Sequence, residues 1–320
     1  MSGFRYHRPA SLDEALTALT RPGVRPIGGG TDLVPTLEEG LVTAAEVVDL
    51  RFLPGARTIT RDDDGTTRIG AGVRIADLAT DPLIRSAYPV LADAAAAVGS
   101  PALRSMGTIA GNLQQRPRCW YFRRGVSCHK TGGHGCPAVG GEHPYHGIMD
   151  TGICRTAHPS DPAVALEALD AQVVLRSSAG TRQIGLTECF AEAADRPEGE
   201  TAIRDGEVIT EVVLPAASAG GTQHWEKLTQ RGAFDFALVS CAAVRRTDGA
   251  VRLVLGGVAA GPWRVPHSIE EDVGSGGLDD DSIDALAARA LYDAAPLPGT
   301  AYKVRMAESV LRHAMRAIAP

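Results

Sequence analysis

The chain has 320 residues, is 44% hydrophobic and 22% charged, and carries a formal net charge of -6 from 32 Lys+Arg against 38 Asp+Glu. That composition excludes disorder and a fibrous fold, and the length suits two or three domains. No apolar run approaches the roughly 18 residues of a membrane span and the start lacks a signal-peptide stretch, so a cytoplasmic address is expected, with export beside a signal-bearing partner as the other route; the acidic balance gives no footprint for nucleic acid.

Ser11-Leu12-Asp13-Glu14 is a capping box that opens a short amphipathic helix through Leu19. Val24 to Ile27 reads as a strand running into Gly28-Gly29-Gly30, after which Thr31 or Asp32 can cap a helix through Glu39, and Glu46 to Leu50 is a further strand. Residues 67 to 79 read as strand then helix, Leu83 to Val98 as one Ala-rich helix, and Ser105 to Leu113 as a Gly-punctuated loop. Pro162 to Leu169 is helical, and Gln172 to Arg176 and Arg182 to Leu186 alternate about a turn before a strand at Val208 to Leu214. From 215 an Ala, Ser and Gly stretch reads as a linker. His224 to Gln230, Ala237 to Arg246 and Val251 to Val258 then form an antiparallel meander with a hairpin at Asp248-Gly249, followed by helices near Ser282 to Asp293 and Ala301 to Ile318.

A strand that ends in three glycines before a helix is suited to an anion, because without Cβ atoms the backbone N–H groups can close on a phosphate. It is not a Rossmann fingerprint, since position 33 is Leu33, and no Gly-Lys-Ser/Thr follows to make a P-loop. A tight turn is the plain alternative. The second turn, Met106-Gly107-Thr108-Ile109-Ala110-Gly111-Asn112, strengthens the cradle reading, as two such turns could line one extended dinucleotide.

Four of the six cysteines, Cys119, Cys128, Cys136 and Cys154, fall in one segment rich in Gly and His and poor in aliphatic residues, which cannot pack a core of its own. A metal centre gathering the thiolates is the simplest way to hold it. The spacing has neither paired C-x2-C knuckles nor the tight ferredoxin run. Glycine-rich intervals let backbone N–H groups reach cluster sulfurs, which favours iron-sulfur over zinc, for which His129, His134, His143, His146 or His158 could be a ligand; unconnected buried thiols are the plain alternative. Cys189 and Cys241 lie in apolar periodic surroundings and read as core.

Taken in order, RPIGGGTDLVP, RSMGTIAGNL, HPSDPAVALEALDAQVVL, EVVLP, WEKLTQRGAFDFALVSCAA, LGGVAAGPWR and AYKVRMAESVLRHAM resemble the FAD-binding subunit of the xanthine dehydrogenase and molybdenum hydroxylase family across nearly the whole chain. The cysteine segment resembles members with an extra four-iron, four-sulfur (4Fe-4S) cluster, as in 4-hydroxybenzoyl-CoA reductase and periplasmic aldehyde oxidoreductase. The resemblance implies an α+β fold: a two-part FAD domain of the p-cresol methylhydroxylase type, then a C-terminal antiparallel sheet with helices. Its parts would be residues 1–55, 56–218 with the cluster insert at about 114–157, and 219–320.

It further implies that Ile27, Gly28, Gly29, Gly30, Thr31, Asp32 and Leu33 hold the FAD diphosphate, with Thr108, Gly111 and Asn112 against it. Ser160 and Asp161 would contact the adenosine half, Leu214 would add a contact, and Lys227 would sit near the isoalloxazine, where a cation stabilises reduced flavin. Cys119, Cys128, Cys136 and Cys154 would ligate the cluster. The family's second loop has Gly-Gly where this chain has Ala110-Gly111. The implied function is electron transfer, with a molybdopterin-containing large subunit oxidising the substrate and a 2Fe-2S small subunit relaying electrons to the flavin. A stand-alone FAD oxidase and a zinc-stapled binding subunit are the readings from other classes.

Overall fold

Parallel pairing of three short strands builds the first layer of the computed structural model, which describes residues 3–149, 152–196 and 199–320. Glu46–Asp49 lies between Arg5–His7 and Val24–Ile27. The helix Leu12–Leu19 covers this sheet, burying Ala15, Leu16, Ala18 and Leu19 against Val48. Its start is half the expected capping box. The Ser11 hydroxyl accepts the Glu14 N–H at 3.2 Å, but the Glu14 carboxylate turns to the Ala10 N–H at 2.7 Å and to His7.

An antiparallel five-stranded sheet follows, in the order Ile59–Arg61, Thr67–Gly70, Val208–Leu214, Gln172–Ser177, Gly180–Gly185. Helices Ile75–Thr80, Pro82–Ala87, Pro89–Ala96 and Asp161–Ala168 pack about its core. The single helix expected over Leu83 to Val98 is two. Pro89 has no N–H to donate and disfavours helical geometry in the residue before it, and Tyr88 breaks out at φ -136, ψ 54. The loop expected at Ser105 to Leu113 is instead a helix end and a second short helix: Pro101–Met106, capped by the Ser100 hydroxyl, and Ile109–Leu113, capped by Thr108. Only Gly107-Thr108 remains as a turn, and this fixes Thr108 at the site described below.

The third sheet is the expected meander, Thr222–Leu228, Val239–Arg245 and Val251–Gly256, with a short edge strand at Trp263–Arg264. Gly249 supplies the left-handed residue of its hairpin at φ +86. Helix His267–Gly274 was not expected, whereas Asp280–Ala290 and Tyr302–Ala317 match the reading closely. The last helix buries Val310, Leu311 and Ala314 in a cluster with Cys241, Leu253 and Leu255.

The second and third sheets share core across the helix Asp161–Ala168, all of whose residues are buried. Val164, Leu166, Ala242, Val244 and Val254 belong to one apolar cluster. Burial of a side chain such as Leu166 contributes about 1.5–3 kcal/mol. The helix therefore fixes Ser160 and Asp161 at its start. Cys189 and Cys241 are core residues as expected; burial pushes the Cys189 thiol up to about 12 and that of Cys241 higher still.

Candidate functional site

Strand Val24–Ile27 delivers Gly28, Gly29 and Gly30 into a cleft of about 350 Å³, lined also by Ile27, Thr31, Asp32, Leu33, Thr108, Ala110 and Gly111. The two glycine turns meet backbone to backbone. A Cβ on Gly29 would run into the carbonyl oxygen of Met106, and one on Gly28 into the hydroxyl of Thr108. These glycines thus let the turns interlock, so the tight turn and the room for a phosphate, weighed as alternatives in the sequence, occur together. Gly30 is left-handed at φ +75, which turns the chain into Leu33–Glu38. That helix has six residues, so its dipole adds little. Among the described residues, the N–H groups of Gly29, Gly30, Thr31 and Asp32 have no backbone acceptor. Unsatisfied amides gathered at a cleft suit an anion.

Asp32 does not cap the helix with its side chain. Its carboxylate accepts from the Arg116 N–H at 2.8 Å, from Arg118 Nη1 at 2.6 Å and from Arg123 Nη2 at 2.7 Å. Burial alone would raise its pKa, but Arg118, the Arg116 amide and Arg123 hold the carboxyl below the usual carboxylate value. The turn's one acid is therefore neutralised from behind, which leaves the amide side of the cleft free to accept negative charge.

Of the other expected residues, Asn112 and Ser160 are joined, the Ser160 hydroxyl donating to Asn112 Oδ1 at 2.5 Å. Lys227 Nζ donates to Asp161 Oδ2 at 2.7 Å and to the Ala97 carbonyl at 2.9 Å, with both side chains of the ion pair less than a tenth exposed. Burial pushes the Asp161 carboxyl up to about 6 against the pull of Lys227. Asp161 and Lys227, expected at the two halves of a dinucleotide, are thus held side by side. Leu214 lies apart from the cleft lining, fully buried and paired with Thr67 across the five-stranded sheet.

Cys119, Cys128, Cys136 and Cys154 line one small cavity, together with Lys130 and His146. All are free thiols. Burial raises the pKa of Cys119 and pushes Cys154 up to about 11. His146 Nε2 lies 3.2 Å from Cys119 Sγ, and burial keeps His146 neutral, with a pKa of about 4. Among the described residues, no three His, Cys, Asp or Glu side chains are placed to hold a single metal ion. Of the zinc candidates, His143 is engaged with the Ala138 carbonyl and the Gly299 N–H, and only His129 and His146 line the cavity.

A third cavity, of about 360 Å³, escaped the sequence reading. Trp120, Tyr145 and Phe236 give it aromatic walls, with Arg118, His158 and Gln230 as polar members. The available signal was composition: the chain is only 5% aromatic, yet Trp120, Tyr121, Phe122 and Tyr145 crowd into the cysteine segment and Phe234 and Phe236 into GAFDF. No helix among the described residues is long and apolar enough to cross a membrane.

Comparison with known proteins places these features. Residues 2–217 match the family described as FAD binding domain in molybdopterin dehydrogenase. The chain is 40% identical over 270 residues to the aldehyde oxidoreductase FAD-binding subunit PaoB of Escherichia coli strain K12, covering 83% of this chain and 84% of the relative. It is 27% identical over 329 residues to the carbon monoxide dehydrogenase medium chain of Hydrogenophaga pseudoflava, covering 98% and 96%. In structure it superposes on carbon monoxide dehydrogenase from the same organism with a TM-score of 0.76 at 23% identity, covering 98% of this chain and 96% of that one, a likeness of fold.

Proposed function

The chain belongs to the family of FAD-binding domains in molybdopterin dehydrogenases, and from that membership we propose that it is the flavin-bearing electron-transfer subunit of a molybdenum-dependent hydroxylase or dehydrogenase complex. It is a flavoprotein oxidoreductase subunit, as its relatives are. The partners in this reading are a molybdopterin-containing large subunit and a 2Fe-2S small subunit, with an external acceptor beyond.

The observation that carries the reading is the pair of interlocked glycine turns with unsatisfied amides facing the 350 Å³ cleft. Ile27 to Leu33, with Thr108 and Gly111, would hold the diphosphate and the adenosine half. The isoalloxazine would lie past the Asn112–Ser160 pair, in the cavity walled by Trp120, Tyr145 and Phe236, whose flat faces suit a planar ring. Asp161 and Lys227, being paired, would meet the dinucleotide together, with the Ser160–Asn112 pair beside the start of the same helix. When bound, flavin accepts electrons one at a time and releases two. The chain's own part is to orient the ring, exclude water from it and present the buried Lys227–Asp161 ion pair.

In the same reading the four thiols carry a 4Fe-4S cluster. Its support is the cavity that all four thiols line, since four cysteine sulfurs about one space are the donor set such a cluster takes. The test is anaerobic purification of the native chain, with iron, acid-labile sulfide, zinc and FAD determined together. Flavin with iron and sulfide is expected; stoichiometric zinc without sulfide removes the cluster. The purified chain should pass electrons from an artificial donor to an acceptor, yet turn over no aldehyde or heterocycle until molybdenum and 2Fe-2S subunits are added. Substrate oxidation by the chain alone at an ordinary enzymatic rate would replace this reading with the stand-alone oxidase.

A further inference from the structure

The cysteine cavity and the aromatic cavity share a wall, since Cys119, His146 and Thr156 line both. Cys119 is the only one of the four clustered thiols that does so among the described residues. Its sulfur lies 3.2 Å from His146 Nε2, and the imidazole is buried, with the rings of Trp120 and Tyr121 at centroid distances of 6.2 and 6.4 Å. The backbone of His146 is gripped from the far end of the chain: its carbonyl accepts from Lys303 Nζ at 2.9 Å. Lys303 is wholly buried, its other acceptor is the Gly257 carbonyl at 2.5 Å, and among the described residues no carboxylate pairs with it. Burial pulls the Lys303 amine down to about 7, and negative charge near it would favour the charged form. A centre held by four thiolates would supply such charge.

We propose that His146, anchored by Lys303, is a positioning residue for the metal centre: it donates its Nε2–H to the Cys119 sulfur and, with the Lys303 charge, raises the potential at which the centre accepts an electron. This rests on the iron-sulfur reading above. A sulfur bound to iron carries no proton, so across the 3.2 Å contact the imidazole is the donor. The His146 N–H and a charged Lys303 would both favour the more negative, reduced form of a cluster held there, with no bond broken and no proton moved. The tuned ligand is the one that faces the aromatic cavity, so the effect falls on the route between centre and ring.

The experiment is a redox titration of the full chain, purified anaerobically, with the reduced cluster followed by electron paramagnetic resonance. His146→Leu and Lys303→Met should each move the cluster midpoint to lower potential at native iron and sulfide content. His146→Gln, which keeps an N–H donor, should stay closer to the native value than His146→Leu. An unchanged midpoint in iron-loaded His146→Leu overturns the proposal, as does a His146→Gln shift equal to that of leucine. Where His146→Leu fails to retain iron, Lys303→Met decides by the same criterion. Native protein free of iron and sulfide removes the cluster reading and this proposal with it, whereas iron-loaded protein with an insensitive potential removes this proposal alone.

Discussion

Asp32, on the glycine turn, and Arg118, beside the first clustered cysteine, form an ion pair at 2.6 Å, so the cradle and the cysteine segment are joined at one carboxylate. Arg123 shares that carboxylate at 2.7 Å. Asp32→Asn should uncouple the two, at a cost of about 2–3 kcal/mol because the partners are buried only in part. The sign of the pH effect follows from a depressed folded-state pKa: the contribution is present above the ordinary carboxylate value of 3.8 and is lost as pH falls through the folded value. Native protein should release flavin on acidification in that range, and Asp32→Asn should show weaker flavin retention already at neutral pH with a shallower acid branch, read by flavin fluorescence. Identical acid profiles would show that the pair does not couple the two regions.

Gly29→Ala should strip most of the flavin while leaving iron in place. The new methyl meets the Met106 carbonyl, which belongs to backbone and cannot swing aside, so the turns must part. A cost of about 1–3 kcal/mol is expected for such overpacking. Gly185→Ala is the control, because a Cβ there meets nothing within 4 Å. The ratio of flavin to protein absorbance, with thermal melts of both variants, checks the outcome; full FAD occupancy in Gly29→Ala would remove the cradle assignment.

Lys227 and Asp161 should act on the flavin potential with opposite signs. Paired at 2.7 Å they nearly cancel, so the simple expectation of a lone cation gives way to that of a dipole. Lys227→Met leaves a buried carboxylate and should lower the potential; Asp161→Asn leaves a buried ammonium and should raise it. The double variant should return toward native. At an effective dielectric near 20 and a separation of roughly 10 Å, one uncompensated charge is worth about 2 kcal/mol. Spectroelectrochemical titration of the flavin reads this directly, and three coincident potentials would place the pair away from the ring.

Serine variants of Cys119, Cys128, Cys136 and Cys154 should each lose iron and sulfide. Cys189→Ser and Cys241→Ser should keep both and lose stability instead, since each puts a hydroxyl into a fully buried apolar site. Iron and sulfide analysis beside chemical denaturation separates the groups. Iron loss from Cys241→Ser would contradict its place in the core.

Periodic signals carried most of the architecture. The meander about Asp248-Gly249, the helix Leu12–Leu19 and the last helix were legible because hydrophobic spacing and turn residues agree there. The break at Pro89 was equally visible, yet an alanine-rich run masked it, and Pro101 and Ser100 marked a helix start that the glycines around residue 107 obscured. The turns and the four cysteines stand out as local motifs. What stayed hidden arises from chain segments remote in sequence: Lys303 against His146, Asp161 against Lys227, and the aromatic cavity assembled from residues 118–120, 145–146, 156–159 and 230–238. No spacing rule relates residues that only the fold brings together.

The grip of Lys303 on the His146 carbonyl also sets an order in biosynthesis. The cysteine segment leaves the ribosome well before residue 303 does, and at ~5–20 residues per second the interval is roughly ten to thirty seconds. During that time the nascent thiols lack the strut that finally places them. The final arrangement of the four thiols is consequently reached late, after the last helix has docked, and any metal centre they hold on the reading proposed above would be completed only then.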